Sequence, residues 1–383
     1  MRIAPAHAVL SAALLLGIAA CGGSDSGGGK DTGGAKDTGG AIAVEATDTE
    51  CKVSRTEAPA GAVEFTITNK GTAVNEFYIY GEGDRVLGEV ENITPGLSRS
   101  FTVQLSEPGT YQTACKPGMK GDGIRGDFTV TGSTSAAGDT DAKLTAAVTA
   151  YEKYVATEAD ELLENTEEFT AAVKAGDVAK AKSLYAVARS PWEEIEPVAE
   201  SFGDLDPRID GREDVVDDGM AFTGYHRLEK DLWQDGLQKD SSAIADQLLA
   251  DVLQVVAKAK AVELNPLQLA NGSKALLDEM ATGKVTGEEE RYSHTDLYDF
   301  AANYEGSKQA IAALRPALQE RDPELVKAID ARFAALDEAL DAHRKGDGFV
   351  SYTDLDAADV KALTVALDAV SEQVAKVAGV VAA

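Results

Sequence analysis

The sequence predicts a multidomain β + α protein, a small β-sandwich followed by an all-α helical bundle. Three observations carry that expectation. Residues 41–132 hold short runs in which apolar and polar residues alternate, each stopped by turn chemistry such as Asn69-Lys70-Gly71. From Ala142 onward the texture changes to Ala, Leu, Glu and Lys with helical periodicity. A Gly/Ser/Thr-rich stretch separates the two. At 383 residues and 44% hydrophobic, the chain is long and apolar enough for two or three cored domains.

The first segment, 1–20, reads as a signal peptide: Arg2, then an apolar run from Val9 to Ala20 that is too short for a comfortable membrane span. It ends in Ile18-Ala19-Ala20-Cys21, which resembles a bacterial lipobox and marks Cys21 for lipidation. Export follows either from that signal or from an ordinary cleaved one. Residues 21–40 (CGGSDSGGGKDTGGAKDTGG) have no apolar anchor and read as a flexible tether. The β-sandwich is expected over 41–132, with strands at VEFTITN, NEFYIY, RSFTVQL, GTYQTAC and RGDFTVT, and with Glu89 and Glu91 in a loop. Residues 133–141 form a linker, and 142–383 the helical domain. Its second and third helices are expected to divide at Ser190-Pro191, because proline favours the first helical turn. Export puts Cys51 and Cys115 where disulfides persist, and with Cys21 lipidated these two are expected to pair.

Charge narrows the function classes. The chain carries 36 basic and 65 acidic residues, a formal net charge of −29, so nucleic acid is excluded as a partner and cations are the natural ligands. Only 8 basic and 13 acidic residues lie in 41–132, so most of the acid excess belongs to the helical region. A small exported sandwich with Cys115-Lys-Pro-Gly-Met119 near its end looks like a cupredoxin. A blue-copper centre needs two His and a Cys thiolate, and residues 41–132 contain no histidine, so that centre is excluded within this domain. Its carboxylates leave a site for a hard cation open, against the plainer reading of a solvated surface.

The sharpest local signal is GYHRLEKDLW (224–233). His226 and Glu229, three apart on a helix, project from one face and can grip one metal ion. In SPWEEIEP, Glu193 and Glu196 repeat that spacing, and the acidic stretch between the two helices adds Asp206, Asp210, Asp214, Asp217 and Asp218. Glu193, Glu196, His226, Glu229 and Asp214 are therefore the expected ligand set. A nitrogen and oxygen donor set without sulfur suits iron, Fe2+ or Fe3+, with zinc, manganese or copper admissible at the same or a second site. Protonation of the imidazole near its ordinary value of about 6.5 is expected to weaken binding.

The order of these parts resembles the EfeO family: a lipobox, a cupredoxin-like domain without copper histidines, then a helical domain with WEEIEPVAESFGDLDPRID, GYHRLEKDLW and YSHTDLYDFAANYEG. The helical blocks are similar to the imelysin-like group, which is named as a peptidase family. The resemblance implies an exported, lipid-anchored component of an iron-uptake system. It would capture iron outside the membrane and pass it to a membrane permease, with a haem peroxidase as third member. It maps the H-x-x-E motif onto His226 and Glu229, and the acidic pair onto Glu193 and Glu196. The expectation is binding without catalysis. A metallopeptidase is the alternative, but H-E-x-x-H is absent: Arg227 and Leu228 fill the middle and Glu229 ends the motif. A surface interaction module without metal affinity is the third reading.

Overall fold

The computed structural model describes residues 40–81, 86–132, 141–199, 202–203, 205–213 and 221–383. The expected signal peptide over 1–20, Cys21, the tether up to residue 39, the linker over 133–140 and Asp214 lie outside the described residues.

Among the described residues, nine strands build the first domain: β1 (Ile42–Ala46), β2 (Cys51–Val53), β3 (Glu57–Pro59), β4 (Gly61–Asn69), β5 (Asn75–Tyr80), β6 (Val86–Ile93), β7 (Ser98–Leu105), β8 (Gly109–Cys115) and β9 (Ile124–Thr131). They form two sheets, ordered β2-β1-β4-β7 and β3-β9-β8-β5-β6. Alternation in β4 sends Val63, Phe65 and Ile67 inward, opposite Phe101, Val103 and Leu105 of β7. Phe65 is the hub of the core, with the rings of Phe77, Phe101 and Phe128 all within 5.8 Å of its own. Cys51 and Cys115 are joined by a disulfide across the two sheets, their Cα atoms 5.5 Å apart.

Glu89 and Glu91 lie on strand β6, not in a loop. The sequence VLGEVENI does not alternate cleanly, because β6 pairs with β5 through two register shifts. Gly88 is also required there: a Cβ would meet the Phe101 ring at 2.9 Å.

The helices are α1 (Ala142–Lys174), α2 (Val178–Ala199), α3 (Leu205–Ile209), α4 (Gly224–Lys230), α5 (Ser241–Ala259), α6 (Pro266–Thr282), α7 (Asp296–Arg321), α8 (Pro323–Asp341), α9 (Ala357–Val374) and α10 (Val377–Ala382). Asp141 caps α1 by accepting from the backbone of Lys143 and Leu144. Leu144, Ala147, Tyr151, Val155, Ala159, Leu162 and Phe169 then form its buried stripe. Helix α2 does not end at Ser190-Pro191 but runs through Pro191 and Pro197. Pro191 removes the bond to the carbonyl of Val187, and Asn165 Nδ2 donates to that oxygen instead, at 3.5 Å. Trp192 and Ile195 are fully buried, so packing holds the helix across the break.

Residues 40–383 form one compact unit. The β-sandwich meets α6 through polar contacts: Arg99 pairs with Asp278, Asn92 Nδ2 donates to Glu279, and Asn271 Nδ2 donates to the Thr102 carbonyl at 2.6 Å. No described helix is long and apolar enough to cross a membrane.

Candidate metal centre

The centre begins with a glycine. Gly224 opens α4 at φ +76, and a Cβ there would lie 2.1 Å from the Ile209 carbonyl. Only glycine allows the start of α4 to close on the end of α3. That approach brings His226, on the first turn of α4, beside Asp210, with Nε2 3.5 Å from Oδ1. Glu289 and Glu290 enter from the turn before α7. Gly287, at φ +73, starts that turn against the ring of Tyr352, whose hydroxyl donates to the Val285 carbonyl at 2.5 Å.

His226 and Glu229 are both buried, with Nδ1 3.3 Å from Glu229 Oε2. Glu289 Oε1 lies 3.6 Å from Nε2. Two sets of side chains place ligand atoms within 4.8 Å of one another: Asp210, His226 and Glu289, and His226, Glu229 and Glu290. Either set can hold a metal ion through one nitrogen and two oxygens. A crevice lined by Arg212, Glu213, Phe222, Arg291 and Tyr292 leads to them.

Glu193 and Glu196 stand in the same buried region but face other partners. Glu193 pairs with Arg189, one turn earlier on α2, and its Oε2 lies 3.3 Å from Lys284 Nζ. Glu196 Oε1 lies 3.5 Å from the same ammonium. Asn303 Nδ2 donates to Glu196 at 2.9 Å and to Glu193 at 3.1 Å. Lys284 is thus enclosed by Glu193, Glu196, Glu279 (3.6 Å) and Glu289 (3.7 Å). Arg189, also fully buried, pairs with Glu193, Asp210 and Glu290. His294 marks the turn before α7, with φ 59 and its N–H on the Glu290 carbonyl at 2.8 Å. Thr295 sits at the N-cap of α7 and makes no side-chain cap bond.

Among the described residues, the buried carboxyls of Glu193, Glu196, Asp210, Glu229, Glu289, Glu290, Asp296 and Asp299 face two fully buried fixed cations, Arg189 and Lys284, with the half-buried Arg212 on Glu289. Their protonation reflects that excess. Burial and the neighbouring Glu229 push Glu290 up to about 8. Burial and Glu290 raise Asp299 well above the usual range, and neither of its oxygens has a hydrogen-bond partner. Burial likewise raises Glu196, against the pull of Lys284. Burial would raise Glu289 too, but Lys284, Arg212 and His226 hold it well below. Burial and Arg189 oppose a charge on His226, yet Glu229, Glu289 and Asp210 outweigh them and bring it to about 10. Its titration therefore lies well above the window near 6.5 that the residue type alone suggests. Without a bound cation, the cluster is kept near neutrality by protons.

Sequence reasoning underrated Asp210, which was one acid among five in its stretch. It missed Arg189, Lys284, Glu289 and Glu290. The only signal for the last two is the run Glu288-Glu289-Glu290 just before YSHTDLYDF, and such a run reads as solvated surface.

Comparison with known proteins places these features. The imelysin family model matches residues 147–377 and the cupredoxin-like domain model matches residues 11–130. The chain is 41% identical over 345 residues to the iron uptake system component EfeO of Escherichia coli O1:K1, covering 88% of this chain and 91% of that one. The same protein of E. coli K12 and of Shigella flexneri matches at the same identity and coverage. A solved structure from Parabacteroides distasonis, described as an iron-regulated protein A precursor, overlays 63% of this chain and 95% of its own at 17% identity and a TM-score of 0.50, which speaks to the fold alone. A cupredoxin-like domain joined to an imelysin domain, and this identity across nearly the whole of both chains, mean that the chain belongs to the EfeO family.

Proposed function

We propose that this protein is the exported iron-binding component of an iron-uptake system, held at the membrane by a lipid on Cys21. It captures iron outside the membrane and releases it to a membrane permease, with a haem peroxidase as the third member. The carrying observation is the buried excess of carboxyls around His226: among the described residues, eight acids against Arg189, Lys284 and the half-buried Arg212 is a charge balance that a multivalent metal cation corrects. The relatives named as iron uptake system components support iron as that cation. The donor set, imidazole nitrogen with carboxylate oxygens and no sulfur, accepts Fe2+ or Fe3+ and also admits Mn2+ or Zn2+.

The mechanism is reversible coordination and not turnover. The cation displaces protons from His226 and the raised carboxyls as it enters, and protons return as it leaves. The test is iron titration of the mature soluble chain, starting at Gly22, beside His226→Ala. Near-stoichiometric binding that the variant loses supports the reading. Equal binding by both, or by neither, overturns it.

A further inference from the structure

We propose that His226 binds the cation through Nε2, with Asp210 and Glu289 as its oxygen partners, and that Glu229 is a positioning residue behind the ring. This rests on the metal-binding reading above and departs from the His/Glu pair as joint ligands.

The two faces of the imidazole differ. On the Nδ1 face, Glu229 Oε1 accepts backbone N–H bonds from Tyr292 at 2.8 Å and Ser293 at 2.7 Å. Its Oε2 lies 3.3 Å from Nδ1. Both oxygens are engaged, and the carboxylate is locked to the turn that precedes α7. Glu290, the other acid on this face, is committed as well. Its Oε1 meets Arg189 Nε at 2.8 Å, and its Oε2 accepts from Ser293 Oγ at 2.9 Å. A carboxylate fixed this way against Nδ1 keeps the proton there, so the proton an entering cation displaces is the one on Nε2, as in the carboxylate–histidine–metal arrangement.

On the Nε2 face a cation is already accommodated. Arg189 Nη1 lies 3.3 Å from Nε2. Asp210 Oδ1 at 3.5 Å, still paired with Arg189 Nη1, and Glu289 Oε1 at 3.6 Å flank the same nitrogen, so an entering cation takes the place of the guanidinium on Asp210. They come from separate elements, the end of α3 and the turn before α7, so they can close on an ion from two sides. Arg212 anchors Glu289 through its other oxygen, Oε2, which leaves Oε1 turned inward between His226 Nε2 at 3.6 Å and Lys284 Nζ at 3.7 Å.

The experiment uses the full mature chain with 15N-labelled histidine and Zn2+ as a diamagnetic probe. Long-range 1H–15N spectra identify the metallated nitrogen of His226, assigned with His226→Gln. Metal on Nε2 with a proton kept on Nδ1 is expected, and metal on Nδ1 overturns the proposal. A second arm reads Co2+ visible spectra and chelator competition in variants whose fold is checked by circular dichroism. Glu229→Gln should weaken binding roughly 10–100-fold yet keep the wild-type Co2+ band shape. Glu289→Gln and Asp210→Asn should change that shape. The reverse pattern overturns the proposal. A wild-type chain that binds neither ion removes the metal-binding reading itself, whereas binding through Nδ1 removes only this assignment.

Discussion

Arg189 Nη1 lies 3.3 Å from His226 Nε2, so a fixed cation rests beside the nitrogen that points at Asp210 and Glu289. In the metal-free protein this guanidinium compensates part of the buried acid. Replacing it by an uncharged side chain of similar bulk strips Glu193, Asp210 and Glu290 of their partner. Arg189→Met should therefore cost about 3–5 kcal/mol of stability without metal. Added Zn2+ or Fe2+ should raise the melting temperature more in the variant than in the wild type. Thermal melts with chelator and with metal check both halves.

The pH dependence has a definite sign. His226 holds its proton up to about 10 in the folded chain, against about 6.5 when unfolded. Its contribution to metal-free stability is complete below about 6.5 and is lost as pH rises through about 10. Glu290, held at about 8, takes stability away over a lower window, from its unfolded value near 4.3 upward. Metal-free chain should therefore unfold at lower denaturant concentration at pH 8.5 than at pH 6, and saturating metal should flatten the difference. Metal affinity should still climb between pH 7 and pH 9. A stability that rises over this range would contradict the protonation of the centre described above.

Gly224 offers a test of how the centre is assembled. Gly224→Ala strains a backbone at φ +76 and drives a methyl into the Ile209 carbonyl. A loss of about 1–3 kcal/mol is expected from strain at such a site, with weaker metal binding as His226 moves from Asp210. Gly236→Ala is the control: φ is +74 but a Cβ there meets nothing within 4 Å. At φ 74 and ψ 159 it should cost about 1–3 kcal/mol of strain and leave metal affinity unchanged. Isothermal titration of the two variants separates the outcomes.

The disulfide belongs to the other domain. Cys51 and Cys115 close 64 residues of chain, for which loop entropy gives about 4 kcal/mol. Cys51→Ser/Cys115→Ser should lower the unfolding midpoint of the β-sandwich and leave metal stoichiometry as it is. Metal loss in that variant would place a sulfur-dependent site in the sandwich.

The parts readable in the sequence are those set by local pattern. Alternation along β4 and the three-and-four spacing of Leu144, Ala147, Tyr151 and Val155 fix buried faces without reference to anything distant. His226 and Glu229 are adjacent by helix geometry alone. What escaped needed tertiary partners. Pro191 reads as a helix start because its effect is local, whereas the burial of Trp192 and the bond from Asn165 are not. Glu193 and Glu196 have the spacing of ligands, but Lys284 and Asn303, about a hundred residues on, decide what they face. Asp210, Glu289 and Glu290 join His226 only because α3, α4 and the turn before α7 meet there. An acidic residue looks solvated in a sequence until the arginine and lysine that bury it are in place.

Glu279 gives the domain junction a meaning of its own. It accepts from Asn92 on β6 and stands 3.6 Å from Lys284, which in turn stands 3.7 Å from Glu289 beside His226. The β-sandwich therefore rests on the outer rung of the cage and not on a neutral wall. An imelysin domain excised at residue 141 would be an amputated receptor, its Glu279 turned loose and its lysine less firmly placed. Titrating that fragment beside the intact chain would read out how much of the grip on the ion is lent by the neighbouring domain.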